Sequence, residues 1–117
     1  MAADWARPVV HWELVALDPI HQADFYRQLF NWDIGEGPIM QIAPGLGGPE
    51  PGPAGHIRQG ERSGVSLYVQ VADLPASIAR VPALGGRVTA EPFDIPNGPT
   101  IAFVEDPEGN PLALVQQ

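Results

Sequence analysis

The sequence contains no cysteine and no lysine, and it contains no long apolar run. Without cysteine the chain has no disulfide framework, no thiolate metal site and no cysteine nucleophile. Its apolar runs all fall short of the roughly 18–20 residues that a membrane-spanning helix needs, so we expect no such helix in this chain. The first residues lack the basic region followed by an apolar stretch that marks a secretory signal. We therefore expect a cytoplasmic protein.

Positive charge is also scarce, since six arginines face 14 acidic residues and the formal net charge is −8. A surface of this sign repels phosphate backbones and anionic lipid headgroups. Nucleic acid and membrane surfaces are accordingly excluded as partners.

What the chain does contain is enough apolar material for one core: 117 residues, of which 44% are hydrophobic. This length predicts a single domain spanning residues 1–117. The 13 glycines and 14 prolines punctuate short hydrophobic runs and cluster in residues 44–55, a pattern typical of short strands and turns with one long loop. That loop is open to two interpretations, a lid over a binding site or an exposed linker.

The first half of the chain predicts a strand, a helix and three further strands. The strand covers residues 9–17, and the helix covers residues 21–30 with Asp18 as its N-cap and Asn31 as a left-handed terminator. Further strands are predicted over residues 32–35, 39–43 and 55–59. The apolar residues of the helix recur at spacings of three and four, so we expect them to pack on the sheet: Ala23, Phe25, Tyr26, Leu29 and Phe30.

The second half repeats this order at an offset of 55 residues, which lays Asp73 over Asp18 and Ser66 over His11. A strand is predicted over residues 64–72 and a helix over residues 74–84, with Pro82 expected to kink or shorten the helix. Strands follow over residues 87–92, 100–105 and 112–115. The predicted fold class is α+β, built from two tandem βαβββ units over about residues 8–60 and 63–117.

A duplicated βαβββ unit ending in Asp106-Pro107-Glu108-Gly109-Asn110 resembles the vicinal oxygen chelate superfamily, which includes glyoxalase I, bleomycin-resistance proteins and extradiol dioxygenases. The first half supports the resemblance with a strand holding His11, then Asp18, then Phe25-Tyr26-x-x-Leu29-Phe30-x-Trp32. The resemblance implies that each unit curls so that the strands form a cup-shaped mixed sheet. It also implies a binding site on the open faces, often with a divalent metal, and a homodimer.

The ligand positions of that superfamily fall here on His11, Ser66, Ala113 and Arg58. Only His11 is a good metal ligand, because Ser66 and Ala113 offer no imidazole or carboxylate and Arg58 repels cations. The resemblance together with this mapping implies a small-molecule binding protein without a cofactor. The alternative is a metal-dependent lyase or dioxygenase in which a shifted set, His11, Glu13 and His56, holds Zn, Ni, Mn or Fe.

The candidate ligand-binding residues are His11, Glu13, His56, Arg58, Ser66 and Tyr68. Since side chains alternate along a strand, His11 and Glu13 lie on one face of the first strand, and His56 and Arg58 lie on one face of the strand over residues 55–59. We expect the whole set to line one cavity. His11 or Glu13 would serve as a base if the protein is a metal-free enzyme. The structural interpretations are a hydrogen-bonded His11 and an ion pair between Glu13 and Arg58.

Large aromatic side chains are numerous for one small core: Trp5, Trp12, Trp32 and Tyr68. An excess of this kind favours burial in an interface between two copies, so we expect a homodimer.

Overall fold

The computed structural model describes residues 6–44 and 52–117. The described residues form seven strands, two α-helices and one short 3₁₀ helix, which confirms the α+β class. They divide into two compact units, one within His11–Ser66 and the other comprising Leu67–Gln117 with the described residues ahead of His11. Within the described ranges no helix has the length and apolar character needed to cross a membrane.

The first unit contains β1 (Val9–Ala16) from His11 onward, α1 (Pro19–Phe30), β2 (Ile39–Ile42) and β3 (Gly55–Gln59). Strand β3 is parallel to β1 and antiparallel to β2. A parallel pair requires a crossover, and α1 is part of the connection that returns the chain in the same direction. The register pairs Glu13 with His56 and Val15 with Arg58.

Helix α1 has the N-cap and the left-handed terminator that the sequence indicated. The Asp18 side chain accepts a hydrogen bond from the His21 amide at 3.2 Å. Pro19 fits the first turn because a backbone N–H at that position would have no acceptor within the helix. Asn31 ends the helix with φ 59°, and its amide donates to the Arg27 carbonyl. The helix is two residues longer at its start than predicted, because Pro19 and Ile20 are helical.

Two predictions for the first unit are wrong. Residues 32–35 form an isolated bridge between Ile34 and Ile42 and not a strand. The apolar face of α1 is also narrower than expected, since Ala23 is buried and Tyr26 packs on the core, whereas three residues assigned to that face are more than half exposed: Phe25, Leu29 and Phe30. Aromatic stacking accounts for part of this, because the rings of Phe25 and Phe30 pack on Tyr26 and not on the sheet.

The second unit follows the predicted order more closely. It contains β4 (Gly64–Val71) from Leu67 onward, α2 (Leu74–Arg80), a 3₁₀ turn (Pro82–Leu84), β5 (Arg87–Asp94), β6 (Thr100–Glu105) and β7 (Pro111–Gln116). Strand β6 pairs antiparallel with β5 and β7, and β7 runs parallel to β4. As predicted, Pro82 shortens the helix, since α2 ends at Arg80 and the following turn is 3₁₀.

The turn before β7 has the geometry that its residue types require. Gly109 has φ +86°, a conformation that glycine adopts without steric strain. The Asp106 carboxylate accepts hydrogen bonds from the Glu108 amide and from the amide and side chain of Asn110. This motif therefore serves as a turn, and no chemistry is needed to explain it.

Two predictions concern residues 1–5 and 45–51, which lie outside the described residues. They are the lid interpretation of residues 44–55 and the contribution of Trp5 to an interface. Both stay predictions.

Candidate functional site

Strand β1 divides its side chains between two faces. Leu14 and Ala16 are buried in the core beside α1, and Trp12 packs against the same cluster. Because side chains alternate along a strand, His11 and Glu13 point to the opposite face. Glu13 is nevertheless only 3% exposed, so the face that carries it is covered.

Four side chains on this face of β1 and β3 form one continuous chain of hydrogen bonds, which we call the His–Glu–Arg chain: His11, His56, Glu13 and Arg58. The His11 Nε2 and His56 Nδ1 atoms are 2.7 Å apart, and His56 Nε2 is 2.8 Å from Glu13 Oε2. The Arg58 guanidinium donates from Nε to Oε2 at 2.7 Å and from Nη2 to Oε1 at 3.4 Å. The register that sets Glu13 beside His56 brings these groups together.

The surroundings of Glu13 favour its ionised form. Burial by itself would raise the pKa of Glu13, but the hydrogen bonds from His56 and Arg58 and their nearby charge outweigh burial and lower it from 4.5 to about 2. A carboxylate with so low a pKa accepts a proton poorly near neutral pH. Of the two candidate bases, the structure therefore disfavours Glu13.

His11 is the member of the His–Glu–Arg chain farthest from Arg58, and it is half-buried. Burial lowers the pKa of His11 below 6.5, and the charge of His56 lowers it further, although Glu13 opposes both effects. An ionised Glu13 only accepts hydrogen bonds, so His56 donates to it through Nε2. In the form in which His56 carries no charge, its Nδ1 accepts from His11 Nε2, and the basic lone pair of His11 is then on Nδ1.

The remaining predicted site residues lie on β4. Ser66 is buried at 6% exposure, and Tyr68 is half-buried in the second unit. That they share one cavity with the His–Glu–Arg chain stays a prediction. Ala113, the last ligand position that the resemblance assigns, is fully buried on β7.

The shifted set of His11, Glu13 and His56 does not fit a divalent metal as it stands. Metal ligands converge on one point at about 2.0–2.2 Å, whereas His56 turns its two nitrogens towards different partners, one towards His11 and the other towards Glu13. Both Glu13 oxygens also accept from Arg58. Among the described residues, no group of three or more His, Cys, Asp or Glu side chains is arranged to hold a metal ion.

A cavity of about 500 Å³ lies elsewhere in the first unit, between the start of α1 and β2. The Arg27 guanidinium lines it but donates to the carbonyl oxygens of Ile34 and Gly35, so it serves to hold the chain before β2. The His–Glu–Arg chain does not line this cavity. The position of the cavity therefore does not mark the candidate site.

Sequence reasoning placed His56 and Arg58 on one face and considered the Glu13–Arg58 pair. It missed the direct contact between His11 and His56, and with it the role of His56 as the central member of the chain. The signal that would have found it is the parallel pairing of β1 with β3, which makes Glu13 and His56 register partners.

The family model described as "Glyoxalase-like domain" matches residues 9–115. A "Glyoxylase-like domain-containing protein" of Didymella fabae is 30% identical over 112 residues, which covers 87% of this chain and 88% of that protein.

Solved structures share the fold at low identity. A glyoxalase/bleomycin resistance protein/dioxygenase superfamily member from Vibrio splendidus 12B01 superposes with a TM-score of 0.67 at 19% identity, over 96% of this chain and 100% of that one. The Mn(II)-bound glyoxalase from Novosphingobium aromaticivorans superposes with a TM-score of 0.68 at 17% identity, over 95% of this chain and 40% of that one. The TM-scores establish the common fold. At identities this low, the chemistry must be argued from this chain's own residues.

Proposed function

The chain belongs to the glyoxalase-like domain family of the vicinal oxygen chelate superfamily, and we propose that it binds a small organic molecule beside the His–Glu–Arg chain without a divalent metal. Fold membership alone does not choose among binding, lyase and dioxygenase functions, because one scaffold hosts many chemistries. The choice rests on the residues of the site.

One observation carries the proposal: the Glu13 carboxylate already has its cation. Its two oxygens accept from Arg58 and one of them also contacts His56, so the negative charge that a metal ion would need is neutralised by a side chain. His56 already forms hydrogen bonds through both ring nitrogens, and an imidazole from His11 alone does not retain a metal. The metal-dependent lyase or dioxygenase is therefore the weaker candidate.

A metal-free enzyme is the second candidate function, and the environment of His11 favours it. The pKa of His11 is lowered chiefly by burial, which keeps the imidazole neutral and able to accept a proton near neutral pH. In this reading His11 is the base, while His56 and Glu13 orient it. Binding and metal-free catalysis share one site, so one set of variants examines both.

The metal-free part of the proposal is tested by melting protein purified without added ions, with and without a chelator. We expect the two melting curves to coincide. A ligand that binds only the folded state stabilises it by mass action, so a tightly bound metal would make the midpoint fall by about 5 °C on chelation. A fall of that size would contradict the proposal.

The location of the binding site is tested by screening small organic molecules for those that raise the melting temperature. Active compounds should lose their effect in His11→Ala and keep it in His21→Ala, which removes a more exposed histidine from α1. Compounds that stabilise both variants equally would place the binding site elsewhere.

A further inference from the structure

Glu13 is a carboxylate held almost completely away from solvent, and its charge needs a partner. The Glu13 side chain is 4% exposed, whereas the Arg58 side chain that meets it is 40% exposed. Burying an unpaired carboxylate is strongly unfavourable, so the folded chain depends on a cation at this point. Arg58 supplies it from the β3 strand, two residues beyond His56.

Arg58 contacts the Glu13 carboxylate in a bidentate arrangement. Nε and Nη2 of Arg58 approach the two different oxygens of Glu13, at 2.7 and 3.4 Å. A guanidinium keeps its charge at any pH at which the protein folds, and its planar fork matches a carboxylate. The Arg58 guanidinium thus supplies a covalently attached positive charge beside Glu13.

The neighbouring donors show what this cation displaces. Glu13 Oε2 and His56 Nε2 are 2.8 Å apart in a hydrogen bond, and adjacent ligands of a tetrahedral Zn²⁺ with bonds of about 2.1 Å lie about 3.4 Å apart, so loss of the shared proton and a small movement would let both atoms reach one ion. Two donors of the chemistry that Zn²⁺ prefers therefore stand side by side, and the guanidinium covers the carboxylate that would be shared.

We infer that Arg58 is the resident cation of this site and that its guanidinium is what excludes divalent metal ions from Glu13 and His56. This inference rests on the proposed metal-free function and deepens it, because it names the side chain responsible. It predicts that removing the guanidinium opens the site to Zn²⁺.

The test is calorimetric titration of Zn²⁺ into the full chain and into two variants, Arg58→Met and Arg58→His. The methionine keeps an apolar stem and removes the charge, and we expect it to bind Zn²⁺ roughly tenfold tighter than the parent chain or better. The histidine variant should bind tighter still, because the imidazole introduced there joins Glu13 and His56 as a third protein ligand.

The matched controls are Arg87→Met and Arg87→His. Arg87 also pairs with a carboxylate from a strand, since its Nη2 lies 2.7 Å from Glu105 Oε1, but its side chain is 71% exposed. These controls change the net charge by the same amount at a site with no neighbouring histidine, so they should not gain Zn²⁺ affinity. Adding Glu13→Gln to Arg58→His should abolish the gain, and Mg²⁺, which prefers oxygen ligands, should bind none of the variants tightly.

The outcomes separate the inference from the proposed function. Tight stoichiometric Zn²⁺ binding by the parent chain would overturn the metal-free function and the inference together. A parent chain without Zn²⁺ and variants at position 58 that gain no more than the Arg87 controls would overturn the inference alone. Where Arg58→Met melts without cooperativity, recovery of a cooperative transition on adding Zn²⁺ supports the inference, and failure to recover counts against it.

Discussion

Gly55 stands on β3 as the register partner of Trp12 on β1, and the indole ring occupies the space that a side chain at position 55 would need. A Cβ built there would fall well inside contact distance of three ring atoms of Trp12. Two contacts restrain the ring, because its Nε1 donates to the Pro53 carbonyl at 2.9 Å and its centroid lies 5.4 Å from that of the Trp32 ring.

We therefore expect Gly55→Ala to destabilise the fold by about 1–3 kcal/mol, the usual cost of overpacking. Urea denaturation measures the change in the free energy of unfolding. Gly64→Ala is the matched control, because a Cβ at that position meets nothing within 4 Å. Equal effects of the two substitutions would show that the indole ring yields.

At the scale of elements, both α-helices begin in the same way, with an aspartate cap and a proline in the first turn. In α2 the Asp73 side chain accepts from the Ala76 amide at 3.0 Å, and the Ser77 hydroxyl donates to the Asp73 carbonyl at 2.8 Å. The Leu74 amide also donates to the Gln116 side chain at 2.8 Å, and these bonds hold the start of a helix of only seven residues. The cap should matter to the stability of the whole second unit.

We expect Asp73→Ala to lower the free energy of unfolding by about 1 kcal/mol, and Asp73→Asn to lower it by much less, because an asparagine side chain can also accept the hydrogen bond. Urea denaturation decides this too. Glu91→Ala on β5 is the control for the loss of one negative charge. If the alanine and asparagine variants at position 73 are equally unstable, charge and not the capping hydrogen bond is responsible.

At the scale of the whole molecule, the His–Glu–Arg chain predicts how stability depends on pH. The pKa of His11 is lowered in the folded state, so the unfolded chain takes up that proton first and stability begins to fall as the pH drops below about 6.5. The pKa of Glu13 is lowered from 4.5 to about 2, so its contribution is complete above pH 4.5 and is lost between there and pH 2.

The free energy of unfolding, measured by urea denaturation at a series of pH values, should therefore fall in these two ranges. Replacing Glu13 with Gln removes the titrating group, so the slope between pH 4.5 and pH 2 should be shallower in that variant. An unchanged slope would mean that other carboxylates govern the acid limb.

The assembly state is a second property of the whole molecule, and we propose a homodimer. Helix α1 leaves four large apolar side chains at least half exposed: Ile20, Phe25, Leu29 and Phe30. Phe25 and Leu29 are four residues apart and share one face of the helix, and an exposed apolar cluster of this kind is typical of a surface that a partner covers. The net charge of −8 opposes pairing, but salt screens repulsion between exposed charges beyond about 8 Å.

Light scattering at micromolar concentration should give twice the chain mass of 12.5 kDa. Leu29→Glu places a charge in the exposed cluster and should yield the monomer, whereas Glu91→Ala should leave the mass unchanged. A parent chain at 12.5 kDa would refute the dimer.

The sequence by itself determined the local structure. The caps at Asp18 and Asp73, the left-handed Asn31 and the interruption at Pro82 were predicted and are present, because each depends on interactions within a few residues. The family resemblance is also confirmed, and it rests on two features that can be read along the sequence, the repeat and the turn at Asp106.

Only the tertiary structure decided the composition of the site and the exposure of α1. The contact between His56 and Glu13 joins residues 43 apart, and it depends on the register of two parallel strands, which no short window of sequence specifies. The exposure of Phe25 and Leu29 likewise depends on which face of α1 meets the core, and the periodicity of a helix that is apolar on more than one side does not determine that. Local chemistry selects the elements, but the side chains that meet across them are set by how the elements pack.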